Sequence, residues 1–314
     1  MKKIIAFVLT ILLLLGCSSK NAPNTNTNLP YFLFAIPLKG HPVWEEAQKG
    51  FEQACSDFKI NCNTIGPGSI DIQAMNNIVE TAIIQKADGI ITQGIIDPSL
   101  IQKANVQDIP IVLVDSDMKN SGRNAYMGKD FHEQAVLLFN KIEKVYGKDK
   151  KLNISIQVAD ASFDIAKQQI QEIENVFKNH NGGFEIINIS ESKSDQIRAR
   201  QEWMEVFTSY NDINVSINFA GESAESCFET AKALNLRDNM LIFGVDDVNT
   251  TLKLIKNGSI DGSIVTSFYN YGYKSVERLY DLHNNKTKYN PIIPAKLLLV
   301  DKYNVDTYKD EMKL

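Results

Sequence analysis

Aspartates stand where two apolar runs of this chain stop. Pro110–Val114 runs into Asp115, Ser116 and Asp117, and Met240–Val245 runs into Asp246 and Asp247. A carboxylate accepts two hydroxyl hydrogen bonds at once, which suits a polyol. Asp115 and Asp246 are the principal candidates. A turn or cap role stands beside that reading for Asp115, and is the preferred one for Asp117 and Asp247. A third run, Tyr31–Ile36, leads to Lys39, Gly40, His41, Pro42, Val43 and Trp44. An indole face stacks on the C–H face of a pyranose, and a helix start donates to oxygens. Alternatively, Trp44 is a core anchor and Lys39 is simply solvated. Ile213–Phe219 leads in the same way to Glu222 and Ser223, and Ile260–Val265 to Thr266, Ser267 and Phe268. Gln169 and Asp164 fall on or near the first helix of the second half, with an exposed helix face as the alternative. Gln93 and Asp97 are secondary, since Asp97 before Pro98 is explained as a helix cap.

The elements that must position these residues alternate strand and helix almost throughout. The first half reads as strands Tyr31–Ile36, Ile60–Ile65, Asp88–Thr92, Pro110–Val114 and Ala125–Gly128. Helices starting at Pro42, Ile70, Pro98 and Asp130 follow or separate them, with apolar residues at helical spacing such as Val43, Ala47, Phe51, Ala54 and Phe58. The pattern restarts with strands at Leu152–Val158, Phe184–Ile189, Ile213–Phe219, Met240–Val245 and Ile260–Val265, and a last strand at Ala295–Val300. Two successive runs of this kind predict an α/β fold of two doubly wound parallel-sheet lobes. Ligands of such sheets sit beyond the carboxyl ends of the strands, where the residues above lie.

The chain opens with Lys2 and Lys3, an apolar run Ile4–Leu15, and Leu14-Leu15-Gly16-Cys17. That run is too short to span a bilayer comfortably, and residues 1–16 read as a lipoprotein leader. Cys17 is then the lipidated first residue of the mature chain, at the extracytoplasmic face of the cell membrane. Residues 17–29 are Asn/Thr-rich and read as a flexible tether. Formal charge is −5, and loss of Lys2 and Lys3 with the leader makes it −7. No basic stripe is present, which argues against nucleic acid as a partner. Cys55 and Cys62 flank a helix-to-strand turn in a compartment that permits disulfides, and either pair or stay as two buried thiols. Cys227 reads as core. There is no GxxxxGK[ST], HExxH or GxSxG motif, and His41, His132, His180 and His283 lack metal-ligand spacing. The reading is therefore a binding protein, not an enzyme, with no cofactor and no metal.

The stretches "HPVWEEAQKGFEQAC", "KADGIIT", "IPIVLVDSD", "LIFGVDD" and "IKNGSIDGSIV", in this order and spacing, resemble the type I periplasmic sugar-binding proteins, the ribose-binding group, over roughly Phe32 to Val300. The resemblance implies lobes joined by three hinge segments near Lys129–Asp130, Thr266–Ser267 and Pro294–Lys296. The lobes would be residues 30–129 plus 267–295, and residues 130–266 plus 296–314, closing on a ligand. Asp115-Ser116 stands where the family has Asp-Arg, Gln169 near a family Arg, and Glu222 or Ser223 near a family Asn. Asp246 keeps the family Asp, and Thr266 stands where a Gln is frequent. His41, Val43 and Trp44 occupy the places of the Asn and aromatics after the first strand. With two arginines missing, the resemblance implies a small neutral monosaccharide, a pentose such as xylose fitting best. It implies an ABC permease as partner, or alternatively a membrane histidine kinase, because some clostridial lipoproteins resembling this group report xylose to one.

Overall fold

The computed structural model describes residues 29–284 and 288–312. The expected leader, Cys17 and all but the last residue of the expected tether lie outside the described residues. Two six-stranded sheets are present, each covered by helices on both faces.

The first sheet contains β1 (Tyr31–Ala35), β2 (Asn61–Ile65), β3 (Gly89–Gln93), β4 (Ile111–Val114), β5 (Ala125–Gly128) and β11 (Ile292–Pro294), in the order β11-β5-β4-β3-β1-β2. The second contains β6 (Leu152–Val158), β7 (Phe184–Glu191), β8 (Val215–Asn218), β9 (Leu241–Val245), β10 (Gly262–Val265) and β12 (Leu298–Val300), in the order β12-β10-β9-β8-β6-β7. The two orders superpose strand for strand, so the lobes are repeats of one topology. They differ at one edge, where β11 runs parallel to β5 and β12 antiparallel to β10.

Central strands are apolar on both faces because helices cover both. In β1, Phe32 and Phe34 pack with Phe51, Ala54 and Val276 on one side. Leu33 and Ala35 pack with Met75, Val79 and Ile101 on the other. The helices on the Phe34 side are α1 (Pro42–Phe58) and α9 (Phe268–His283). They meet backbone to backbone. A Cβ at Gly50 would fall 1.9 Å from the Tyr269 carbonyl oxygen, and one at Gly272 would fall 2.0 Å from that of Ala47. Only glycine permits this approach. Cys55, near the end of α1, is joined by a disulfide to Cys62 in β2, which settles the alternative left open by the sequence. Cys227 is buried core, and burial pushes its thiol up to about 12.

The chain passes between the sheets between β5 and α4 (Phe131–Tyr146), between β10 and α9, and between β11 and β12. Ala135, Leu138 and Ile142 of α4 already belong to the second lobe's core. Of the single last strand expected at Ala295–Val300, only Leu298–Val300 is strand, as β12, and a further short strand, β11, lies just ahead of it in the other sheet. Residues 295–297 leave β11 for β12, and a continuous strand cannot serve two sheets.

Candidate functional site

The carboxyl ends of both sheets converge on one cavity of about 110 Å³. From the first lobe it is lined by His41, Trp44, Gln93, Asp115 and Phe268, and from the second by Asp160, Phe163, Gln169, Glu222 and Asp246, with Lys129 at the crossover. The lobes touch at its mouth. A Cβ placed on Gly221 of the second lobe would lie 3.5 Å from His41 Cε1 of the first.

Asp115 and Asp246 occupy equivalent positions of the two lobes, one residue past β4 and one past β9. Both adopt a left-handed backbone, with φ of 64° and 65°. Asp tolerates this conformation better than most residues, and such strain collects at ligand sites. Each is pinned by its own N–H, Asp115 donating to Met127 O and Asp246 to Ile264 O, both at 2.9 Å. The side chains thus leave opposite sheets and point at each other across the cleft.

Between them stands the Lys129 ammonium. Its Nζ is 3.3 Å from Asp115 Oδ1 and 3.7 Å from Asp246 Oδ1. Burial works to lower the Lys129 pKa, but Asp115 and Asp246 outweigh it and hold the pKa above the ordinary lysine value. Gln93 Nε2 donates to the other oxygen of Asp115 at 2.8 Å. Burial pushes the Asp246 carboxyl up to about 6, against the pull of Lys129 and with Asp115 and Asp247 adding to the rise.

Trp44 is both wall and core. It packs edge-on against Phe34 and Phe268, with ring centroids 6.4 and 5.4 Å away. His41 precedes α1 without capping it by its side chain. Its Nδ1 is buried with no protein partner. Burial holds its pKa below the ordinary histidine value, with Glu45 opposing, so the ring is neutral at pH 7 and can donate or accept. Glu222, ahead of α7 (Ser223–Ala233), has Oε1 buried with no protein partner, and burial raises its pKa. Gln169, on α5 (Asp164–Phe177), donates to Gln134 Oε1 at 3.1 Å.

Three expected site residues are not brought to the cavity. Lys39 is exposed, because Gly40 turns its segment outward ahead of α1. Ser116 is buried behind Asp115, its hydroxyl donating to Gly94 O at 3.4 Å. Thr266 lies in the hinge, where its hydroxyl donates to Lys296 O at 3.0 Å and ties two crossovers together. Among the secondary candidates, Asp97 caps its helix by accepting from Ser99 N–H at 2.8 Å, and Asp117 is held by Arg123. Asp247 does not cap α8 (Asn249–Lys256) but accepts from the Tyr308 hydroxyl at 2.9 Å.

Lys129, Asp160, Phe163 and Phe219 line the cavity without having been singled out from the sequence as site residues, Lys129 having been read only as part of a hinge segment. Asp160 follows β6 and is gripped by Lys193 at 2.7 Å. Partial burial raises its pKa, yet bonds from Lys193 and Ser162 outweigh this and hold it low. The available signal was position, since Lys129 and Asp160 each lie within two residues of a strand's carboxyl end. Among the described residues, no group of His, Cys, Asp or Glu is arranged to hold a metal ion. No described helix is long and apolar enough to cross a membrane.

Residues 32–287 match the family described as periplasmic binding protein domain. Comparison with curated protein sequences returns no match. Among solved structures, the chain is similar to GanP, a glucose-galactose binding protein from Geobacillus stearothermophilus, with a TM-score of 0.83 and 20% identity, covering 88% of this chain and 98% of that one. It is similar to the chain of the XylFII-LytSN complex, with a TM-score of 0.80 and 22% identity over 88% of this chain and 98% of that one. It is also similar to an ABC transporter solute-binding protein from Agrobacterium vitis with bound D-fucose, with a TM-score of 0.82 and 21% identity over 90% and 99% of the two chains.

Proposed function

The chain belongs to the periplasmic binding protein family, and from that premise we propose that it is an extracytoplasmic receptor for a small neutral sugar, held in the interlobe cleft. The observation that carries this reading is the convergence of Asp115 and Asp246, from opposite lobes, on one small cavity walled by Trp44. Carboxylates that face each other can each accept from hydroxyls of one ligand, so a polyol bridges them and holds the lobes closed. Glu222 and Gln169 add acceptors and a donor. An anionic ligand would meet Asp115, Asp246 and Glu222 with Lys129 as the cation between the two aspartates, and repulsion in such a buried site is poorly screened. Small size and hydroxyl-matching groups favour a pentose such as xylose. The family is one of binding proteins, and the role we propose is capture and not catalysis.

The leader and Cys17 support a lipid anchor at the outer face of the cell membrane, from which the closed form presents sugar to an ABC importer. The likeness to the XylFII-LytSN complex favours a second outlet, in which the closed form signals to a membrane histidine kinase. A permease gene beside this one supports the first outlet, and a kinase gene the second. The two lobes, residues 30–129 with 267–295 and residues 130–266 with 296–314, would move as bodies about the three crossovers.

The test is a calorimetric and thermal-shift screen of pentoses, hexoses, sugar acids and amino acids. A neutral monosaccharide should raise the melting temperature and bind one to one. Binding only to a sugar acid or an amino acid, or to none of the panel, removes the reading.

A further inference from the structure

Lys129 joins the lobes in two senses. It is the first residue after β5, where the chain crosses, and its ammonium lies between carboxylates of both lobes. Its side chain is 7% exposed, and those of Asp115 and Asp246 are 9% and 10% exposed. Beyond Lys129, Asp115 Oδ1 and Asp246 Oδ1 have no protein hydrogen-bond partner. The separations of 3.3 and 3.7 Å exceed the ~2.7–2.9 Å of a tight ammonium–carboxylate bond. The ammonium is thus central but loosely held, in the cavity wall, 5.5 Å from the Phe268 ring centroid. It carries three N–H donors for two carboxylates.

We propose that Lys129 selects the charge of the ligand: it fills the place between the aspartates that a ligand's own ammonium would take, and gives its remaining N–H to a ligand oxygen. This rests on the sugar reading above and names the class within it. The row Asp115, Lys129, Asp246 reads acceptor, donor, acceptor. It matches a neutral polyol in which one oxygen accepts and the flanking hydroxyls donate. A protonated amino sugar placed there meets Lys129, and a uronic acid meets the aspartates. Without Lys129, two buried carboxylates are left without their cation, and an ammonium becomes the best ligand for them.

The experiment compares wild-type chain with Lys129→Met and Lys129→Arg by calorimetry. The panel is D-xylose, D-glucose and D-galactose against glucosamine, galactosamine, glucuronate and galacturonate. Methionine keeps much of the aliphatic stem and removes the charge. Lys129→Met should weaken the best neutral sugar at least about tenfold, the scale of one charged hydrogen bond. It should also raise the ratio of amino-sugar to neutral-sugar affinity at least about tenfold, whereas Lys129→Arg keeps the wild-type order. If Lys129→Met does not fold, Lys129→Met/Asp246→Asn lowers the unpaired charge, and it should lose the neutral sugar without gaining the amino sugar. An unchanged preference order in Lys129→Met, or a gain of amino sugar in the double variant, overturns the inference. So does a wild-type chain that prefers an amino sugar, an outcome that keeps a sugar receptor with its ligand in this cleft but not a neutral-sugar one. A wild-type chain that binds no sugar removes both.

Discussion

Replacing Asp246 by Asn should make the protein more stable and a poorer binder. Burial pushes this carboxyl from 3.8 to about 6, even with Lys129 beside it. A rise of that size corresponds to ~3 kcal/mol between the two protonation states. The folded protein therefore holds a proton on Asp246 more tightly than the unfolded chain does. Stability tied to this group is fully present below about pH 4 and is lost as pH rises through about 6. At pH 7 the wild-type protein carries the whole penalty, and asparagine at this position does not. Asp246→Asn should thus raise the melting temperature by roughly 5 °C at pH 7, given about 2 °C per kcal/mol in a chain of this size. The gain should shrink towards zero at pH 4. Sugar affinity should fall about ten- to a hundredfold at pH 7, since a charge-assisted acceptor is worth roughly 1.5–3 kcal/mol. Thermal melts at half-unit pH steps and calorimetry at pH 7 read both effects. A variant less stable than wild type at pH 7, or a stability difference that does not change with pH, refutes the reasoning.

The same carboxyl makes binding proton-linked: wild-type affinity should weaken below pH 6, and near pH 6 sugar binding should release protons, seen as a buffer-dependent calorimetric enthalpy. Gly221→Leu should still melt cooperatively yet bind sugar poorly and fail to compact in small-angle scattering, because its Cβ alone would lie 3.5 Å from His41 across the cleft and 3.3 Å from Val248 Cγ2. Gly272→Val should fail to give a cooperative melt, because its Cβ would meet the Ala47 carbonyl at 2.0 Å, a backbone atom that no rotamer change can move. Cys55→Ser/Cys62→Ser should lose about 2.5 kcal/mol in a urea titration, the chain-entropy value for so short a loop, given the sequence separation of 7.

Much of the fold was legible because each lobe repeats strand and helix with uninterrupted apolar strands, and such strands admit few topologies. The edges were not. β11, in Asn290-Pro291-Ile292-Ile293-Pro294, is framed by prolines that normally argue against a strand, and it survives as an edge. Tyr308–Met312 is too short to announce itself as a helix. In the site, Asp115 and Asp246 were legible because a carboxylate directly after a buried strand has few places to go but the cleft. Trp44 was legible in type and ambiguous in role, and in the structure it lines the cavity while packing into the core. Lys39 and Thr266 misled because they follow strands in sequence while the backbone turns them away. Lys129 was placed in a hinge segment but missed as a site residue, because a lysine beside a helix start carries no local sign of burial. Its burial comes from two carboxylates that lie 14 and 117 residues away in the chain, one in each lobe, and no local pattern reports such a pairing.

The central claim is that one neutral sugar is gripped by both lobes at once. A crystal structure of the chain with the tightest-binding monosaccharide of the screen tests it most directly. The account predicts sugar oxygens within hydrogen-bonding distance of Asp115 and of Asp246, a further oxygen on Lys129 Nζ, and the ring beside Trp44. A sugar that touches one lobe alone, or that sits outside this cleft, contradicts it.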